Sequence, residues 1–309
     1  AQYDAAAAYI ALRRWPDAIA ILENWRRSNS GHSLEPDVTR KLAVLYKENS
    51  QPLLAAHEFG RIADTETDPV LQREAAWTAA SLYQRAGQDS DAIKAYARFV
   101  DKFPSPVEQA MEARLQLVSL YEKADDVAKQ RYWQQQIVTA DRSAGPQRSD
   151  RTRYLAAHAR LALATADLEK YRGVKLIEPL KKNLAAKKDL MKVTIAGFTE
   201  AAGYKVADVT TQATFLTGEL YAVFSKALMH SERPRNLNAE ELEQYDILLE
   251  EQAYPFEEKA IEVHETNTQR IASGVYDHWT RRSMASLAEL MPVRYAKQEE
   301  GESYAAVLR

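Results

Sequence analysis

Apolar residues return along the first half of the chain at intervals of three and four, the spacing that lines one face of an α-helix. One stretch shows the pattern most clearly. Ala76, Ala79, Ala80 and Tyr83 share a face, and Ala86–Gly87–Gln88–Asp89 then reads as a turn with Gly87 suited to a C-cap. A second helix follows, with Ala92, Ile93, Tyr96, Phe99 and Val100 on its buried stripe, and Phe103–Pro104 ends it. Ser105–Pro106–Val107–Glu108 predicts a new helix start, with a capping Ser, Pro at the first helical position and Glu at the third. Asp68–Pro69 gives the same signal earlier, and Glu35–Pro36 gives a weaker one.

These helix pairs repeat. Tyr9, Tyr46 and Tyr83 are spaced by 37 residues, as are Ala18, Ala55 and Ala92. Leu22, Phe59 and Tyr96 keep the same 37-residue period, and so do Trp25, Ile62 and Phe99. Tyr121 follows Tyr83 by 38, which predicts a fourth unit with a slipped turn. Its second helix fits less well, since Gln130 stands where a small Ala is expected, although Ala128 is near. One helix pair cannot bury its apolar face alone. Small residues such as Ala92 let helices approach closely, and Tyr83, Tyr96 and Phe99 fill the space between neighbouring pairs. The expected fold class is all-α, a right-handed α-solenoid over residues 1–141.

The third unit resembles the tetratricopeptide repeat in Ala80, Tyr83, Ala92, Tyr96 and Pro104. Phe99 departs from that family, which prefers Ala there, and the family's usual period is shorter by three residues. The extra residues fall around Ser28–Pro36 and Asp64–Asp68, which predicts longer helices or a wider inter-repeat turn. Another α-solenoid, such as a HEAT array, is the rival reading.

Beyond the break at Ala144–Asp150 the chain reads as helical without repeating. Helices are expected at about 150–172, 174–187, 189–202 ending at Gly203, and 206–231. Arg233–Pro234–Arg235–Asn236 is a loop, and Asn238 caps the next helix with Glu241 at its third position. That helix reaches about Gly274, with Pro255 forcing a kink or a break, and a last one covers 275–290. Residues 150–292 thus form a helical region continuing or capping the solenoid, and 293–309 a polar tail. Gly218–Glu219–Leu220–Tyr221 looks like a degenerate repeat helix. The run Leu249–Ala260 resembles the C-terminal region of long tetratricopeptide-repeat proteins of the Gram-negative envelope. That resemblance implies a periplasmic or outer-membrane-associated setting, with a cytoplasmic one as the alternative. The partner it implies is an energising complex of the TonB–ExbB–ExbD kind or a gliding-motility complex.

Composition narrows the chemistry. The 309 residues contain 41 Lys and Arg against 44 Asp and Glu, a formal charge of −3, which gives no general grip on nucleic acid. With no cysteine, disulfides, thiolate metal sites and cysteine nucleophiles are excluded. The longest apolar run, Ala5–Leu12, is far short of the roughly 20 residues that span a bilayer. The chain opens inside an apparent repeat without an initiator Met, as a fragment of a longer protein would. No phosphate-cradling glycine loop, HExxH or GxSxG occurs, so no catalytic residue and no cofactor is expected, and the chain reads as a non-enzyme. The remaining metal reading is a hidden hydrolase in 150–292, joining His264 to Glu258, Glu262 or Glu265. A solvated acidic helix face is the preferred explanation of those carboxylates.

Charge segregates more clearly than catalytic residues do. Residues 169–192 carry eight basic residues against three acidic ones, a local charge of +5. Residues 240–265 carry ten acidic residues against Lys259, a local charge of −9. Either the two segments are solvated faces, which could face each other within the fold, or one or both dock a charged partner. Lys181, Lys182, Lys187 and Lys188 are the candidates for such a patch. Helical phase adds Lys41, Lys47, Arg73, Gln84, Arg114 and Glu122 as residues of a superhelical groove. The function expected is a protein-interaction scaffold in an envelope assembly. Scaffolding of polysaccharide or lipid export, and self-association through exposed end surfaces, are the alternatives.

Overall fold

The computed structural model of the chain describes residues 2–296, and it divides into two compact units between Thr152 and Arg153. Among the described residues every regular element is helical.

The first unit contains α1 (Gln2–Ala11), α2 (Trp15–Ser28), α3 (Glu35–Glu48), α4 (Pro52–Thr65), α5 (Pro69–Arg85), α6 (Asp89–Lys102), α7 (Val107–Lys123) and α8 (Val127–Ser143). They pack in sequence as four hairpins, each helix against the next. The buried columns follow the periodicity. Ala18, Ala55 and Ala92 are each 0% exposed. Leu22 and Tyr96 are buried, as are Trp25, Ile62, Phe99 and Ile137. In the fourth hairpin Gln130 occupies the Ala column and is half-buried, while Ala128 is exposed and does not substitute for it. Gln134, one turn on, is buried where Leu22 and Tyr96 stand in earlier hairpins.

The turn inside each hairpin is built the same way four times. Arg13, Ser50, Gly87 and Asp125 adopt positive φ of 55°, 56°, 72° and 54°. The next residue, Arg14, Gln51, Gln88 or Asp126, donates its backbone N–H to the carbonyl of Tyr9, Tyr46, Tyr83 or Tyr121 at 2.8–2.9 Å. This is the left-handed C-terminal closure of a helix, in which the last free carbonyls are satisfied by the chain that turns away. Only the third unit uses glycine for it, so the other three accept the cost of a left-handed side chain. The residues in excess of a shorter repeat go to two places. Asn29–Leu34 is a long loop, whereas α5 and α7 are 17-residue helices that absorb them directly.

Asp68 caps α5, accepting from the N–H groups of Val70 (2.7 Å) and Leu71 (3.3 Å), as its sequence predicts. Ser105 does not cap α7. Its hydroxyl donates to Gln147 Oε1 (3.2 Å), and that same oxygen accepts the N–H of Val107 at 3.1 Å. The break at 144–150 is a short 3₁₀ turn, Gly145–Gln147. Buried Asp141 ties it down by accepting from Arg148 Nε at 3.1 Å and from the Thr152 hydroxyl at 2.8 Å.

The second unit begins within α9 (Asp150–Gly173) and continues with α10 (Leu180–Gly203), α11 (Ala207–Met229), α12 (Ala239–Gln269), α13 (His278–Leu290) and α14 (Pro292–Tyr295). Residues 174–187 and 189–202, expected as two helices, are not separate. The chain is irregular up to Pro179, and α10 runs unbroken from Leu180, because nothing around Lys188–Asp189 interrupts a helix. Asn238 and Glu241 form the expected reciprocal cap on α12. Pro255 does not break that helix, which runs past it to Gln269 and closes through a 3₁₀ turn at Gly274, φ 83°. Phe198, Phe215, Leu220 and Phe224 sit at the centre of this unit, and the Tyr171 hydroxyl donates to the Leu220 carbonyl at 3.2 Å. No described helix is long and apolar enough to cross a membrane. Of the expected polar tail, Val293–Tyr295 belong to α14 and the stretch beyond Ala296 lies outside the described residues.

Candidate interaction surfaces

The residues expected to line a groove fall into two groups. Lys47 and Glu122 are exposed. The other four are half-buried in the first unit. Lys41 lies 3.7 Å from Asp37 and 5.3 Å above the Tyr3 ring. Gln84 accepts from the Tyr96 hydroxyl (3.0 Å) and donates to Gln116 (3.1 Å), so it bridges α5, α6 and α7. Arg73 and Arg114 are half-buried, each with its Nε enclosed and without a hydrogen bond. Burial pushes the Arg114 guanidinium below its ordinary range, and the charge of Asp101 opposes that shift.

The basic segment divides similarly. Lys181, Lys182 and Lys188 are exposed along the first half of α10. Lys187 is 2% exposed. Its ammonium donates to the carbonyls of Tyr171 (3.0 Å) and Val174 (2.8 Å) and lies 4.1 Å from the Tyr171 ring centroid. It therefore closes the C-terminal end of α9, where a cation suits the helix dipole. Burial lowers its pKa. Lys187 is withdrawn from any docking patch. Among the described residues no ion pair joins this segment to the acidic one, although the expectation of facing charged helices left room for that.

The acidic segment forms α12, and its two halves differ. From Ala253 onward the helix is anchored: Ala253 and Ala260 are buried, and the Phe256 ring stacks edge-on to Phe224 at 4.5 Å. Between Ala239 and Gln252 no residue is buried. That stretch exposes Leu242, Ile247 (51%) and Leu248 (56%), and Tyr254 (61%) follows seven residues after Ile247 on the same face of the helix. Glu240, Glu241, Glu243, Glu250 and Glu251 surround them, all exposed.

His264 lies deep rather than on that acidic face. It is 0% exposed, while Glu258 and Glu262 point to solvent and Glu265 bonds Arg294 and Tyr295. The residues that reach His264 come from neighbouring helices. Ser283 Oγ is 3.3 Å from Nδ1, and Glu219 Oε1 is 3.5 Å from Nε2, at the outer edge of hydrogen bonding. Ser286 donates to Glu219 (2.8 Å), and Asn267 donates to Ser283 (2.8 Å) and to the Thr211 carbonyl (3.1 Å). The neighbouring His264 ring, 3.5 Å away, holds the Glu219 carboxyl below the usual range against the opposing effect of burial, and the Ser286 hydroxyl adds to it. This network staples α11, α12 and α13 together. Sequence spacing missed Glu219 because it stands on another helix. Among the described residues no three His, Asp or Glu side chains converge as metal ligands would.

No protein-family model matches the chain, and no curated protein aligns with it significantly.

Proposed function

We propose that the chain is a protein-interaction scaffold of the tetratricopeptide type, whose second unit docks a basic, amphipathic segment of a protein partner on the N-terminal half of α12. The observation that carries this reading is the surface of 239–254. Ile247, Leu248 and Tyr254 are more than half exposed on a helix whose segment 240–265 has a charge of −9. Ile247 and Tyr254 stand seven residues apart on one face of the helix, and exposed large apolar side chains that share a face mark an interaction site more often than singly scattered ones do. The repeated hairpins of the first unit support the scaffold part of the reading, as stacked pairs of this kind present extended, preformed surfaces. A right-handed superhelix and a periplasmic or outer-membrane-associated setting follow from the resemblance in sequence, with an energising or motility complex as the partner class it implies.

The test is site-directed photo-crosslinking from position 248 in living cells, with and without Ile247→Ser and Tyr254→Ser. A discrete protein crosslinked through a basic segment, and lost in the double variant while helicity is retained, is the expected result. An absence of crosslinked protein, or an unchanged yield from the folded variant, refutes the reading.

A further inference from the structure

The junction between the second and third hairpins holds a cavity of about 430 Å³, walled by α4 and α6 and floored by α5. That size lies in the range of small-molecule sites, roughly 300–1,000 Å³. The neighbouring junctions show that the space is a local departure within the repeat. Gly60, Ala63, Ala79 and Ala95 line it, and their equivalents 37 residues earlier are Glu23, Arg26, Leu42 and Glu58. There the larger side chains fill the gap: Arg26 pairs with Glu58 at 2.7 Å, and Glu23 accepts from the Tyr46 hydroxyl. At the following junction the equivalents are Ala97 and Val100, 37 residues on, and Leu117 and Trp133, 38 residues on across the slipped turn, and all four belong to one apolar cluster. Two junctions are plugged by different means, and the one between them is open. A Cβ built on Gly60 would meet nothing within 4 Å.

The lining is apolar beneath and cationic at the rim. Ala76, Ala79, Phe99 and Phe103 supply the apolar surface. Of the rim cations, Arg98 is neutralised by Asp64 (2.5 Å) and Lys94 by Asp91 (3.1 Å). Arg61 and Lys102 remain as surplus charge. Arg61 is 3.9 Å from Glu58, whose carboxylate Arg26 already holds, and among the described residues Lys102 donates to the Ala63 carbonyl at 3.3 Å and to no carboxylate. Along α4 the wall from His57 to Asp64 extends about 10 Å at the ordinary helical rise. We propose that this cavity binds a small amphiphilic carboxylate, with its chain or ring against Ala76, Ala79 and Phe99 and its carboxylate toward Arg61 and Lys102. A desolvated apolar wall beside cations that outnumber their carboxylate partners selects that class over neutral or cationic amphiphiles. The site lies in the first unit and is independent of the docking surface on α12.

The test is isothermal titration of the whole chain with decanoate, and with decanol and decylamine as controls. Saturable one-to-one binding of decanoate is expected, at least tenfold tighter than either control. Ala79→Leu with Ala95→Trp, which copies the plugged junction that follows, abolishes binding while the circular dichroism spectrum and melting transition are kept. Arg61→Gln with Lys102→Gln leaves the cavity open and serves if the plugged variant misfolds. It lowers decanoate affinity about tenfold, to that of decanol. No saturable binding to the native chain, equal binding to the folded plugged variant, or decylamine binding as tightly as decanoate each overturns the proposal.

Discussion

Two mid-helix glycines make opposite predictions from the same substitution. Replacing an exposed helical Gly by Ala stabilises a helix by about 1 kcal/mol, since Ala loses less backbone entropy. Gly60 in α4 has open space around it, so Gly60→Ala is expected to gain most of that amount. Gly218 in α11 faces His264. A Cβ there would lie 2.6, 2.7 and 2.8 Å from Nε2, Cε1 and Cδ2 of the ring, well inside van der Waals contact. The ring has nowhere to go. It is fully buried, with the Phe215 ring centroid at 5.5 Å on one side and Ser283 and Glu219 at its two nitrogens. Overpacking of a closed core costs about 1–3 kcal/mol. Displacing the ring also weakens the contact with Ser283, worth about 1 kcal/mol. Against the helical gain of about 1 kcal/mol, Gly218→Ala is left destabilising by about 1–3 kcal/mol. Urea titration followed by circular dichroism, with both variants beside the native chain, measures this. A Gly218→Ala midpoint at or above the native one would refute the reasoning, because it would mean the α11–α12 approach is loose enough to admit a methyl group.

The lysines of α10 separate by role. Lys187→Met leaves two carbonyls at the end of α9 without their donor and is expected to cost about 1–3 kcal/mol, whereas Lys181, Lys182 and Lys188 changed together to Glu stay within about 0.5 kcal/mol in the same urea titration. The carboxyl of Glu219 is depressed by the His264 ring beside it, so its contribution is complete above the unfolded carboxylate range near pH 4.3 and is lost as pH falls through the lower folded value. Glu219→Gln should therefore flatten the acid side of the stability profile, and an unchanged acid limb would count against the coupling.

The hairpins were legible in the sequence because their packing has to recur: each junction needs a small residue and an aromatic at the same phase, so Ala18, Ala55 and Ala92 repeat with the tyrosines. Their turns were legible only once. Gly87 announces a left-handed residue, but Arg13, Ser50 and Asp125 adopt the same conformation under the constraint of the flanking helices. Pro255 misleads for a related reason. A proline removes one hydrogen bond, and the anchoring of Ala253, Phe256 and Ala260 on either side carries α12 through it. The surface residues were hardest to place. Lys187 looks like its neighbours until the backbone carbonyls of Tyr171 and Val174 are brought to it. The groups that reach His264, Glu219 and Ser283, are 45 and 19 residues away on other helices, beyond the reach of any helical spacing.

Comparison among the repeats recovers some of what a linear reading misses. A column that holds Glu23 and Gly60 reads, taken alone, as a tolerant surface position. Its neighbours show otherwise, because Ala63, Ala79 and Ala95 shrink at the same junction as Gly60. Each lost side chain removes packing contact that a repeat protein depends on for its nearest-neighbour stability. Drift alone would spread such losses over all the junctions. Here they converge on one cavity and leave Arg61 and Lys102 at its mouth, while the junctions before and after are filled by an ion pair and by a tryptophan. A local loss of packing that coincides with surplus charge is a property of a binding site rather than of a weak repeat. The stability of the plugged Ala79→Leu, Ala95→Trp variant bears on this directly. If it folds more stably than the native chain yet no longer takes up decanoate, the native sequence has kept the space open at the expense of its own packing.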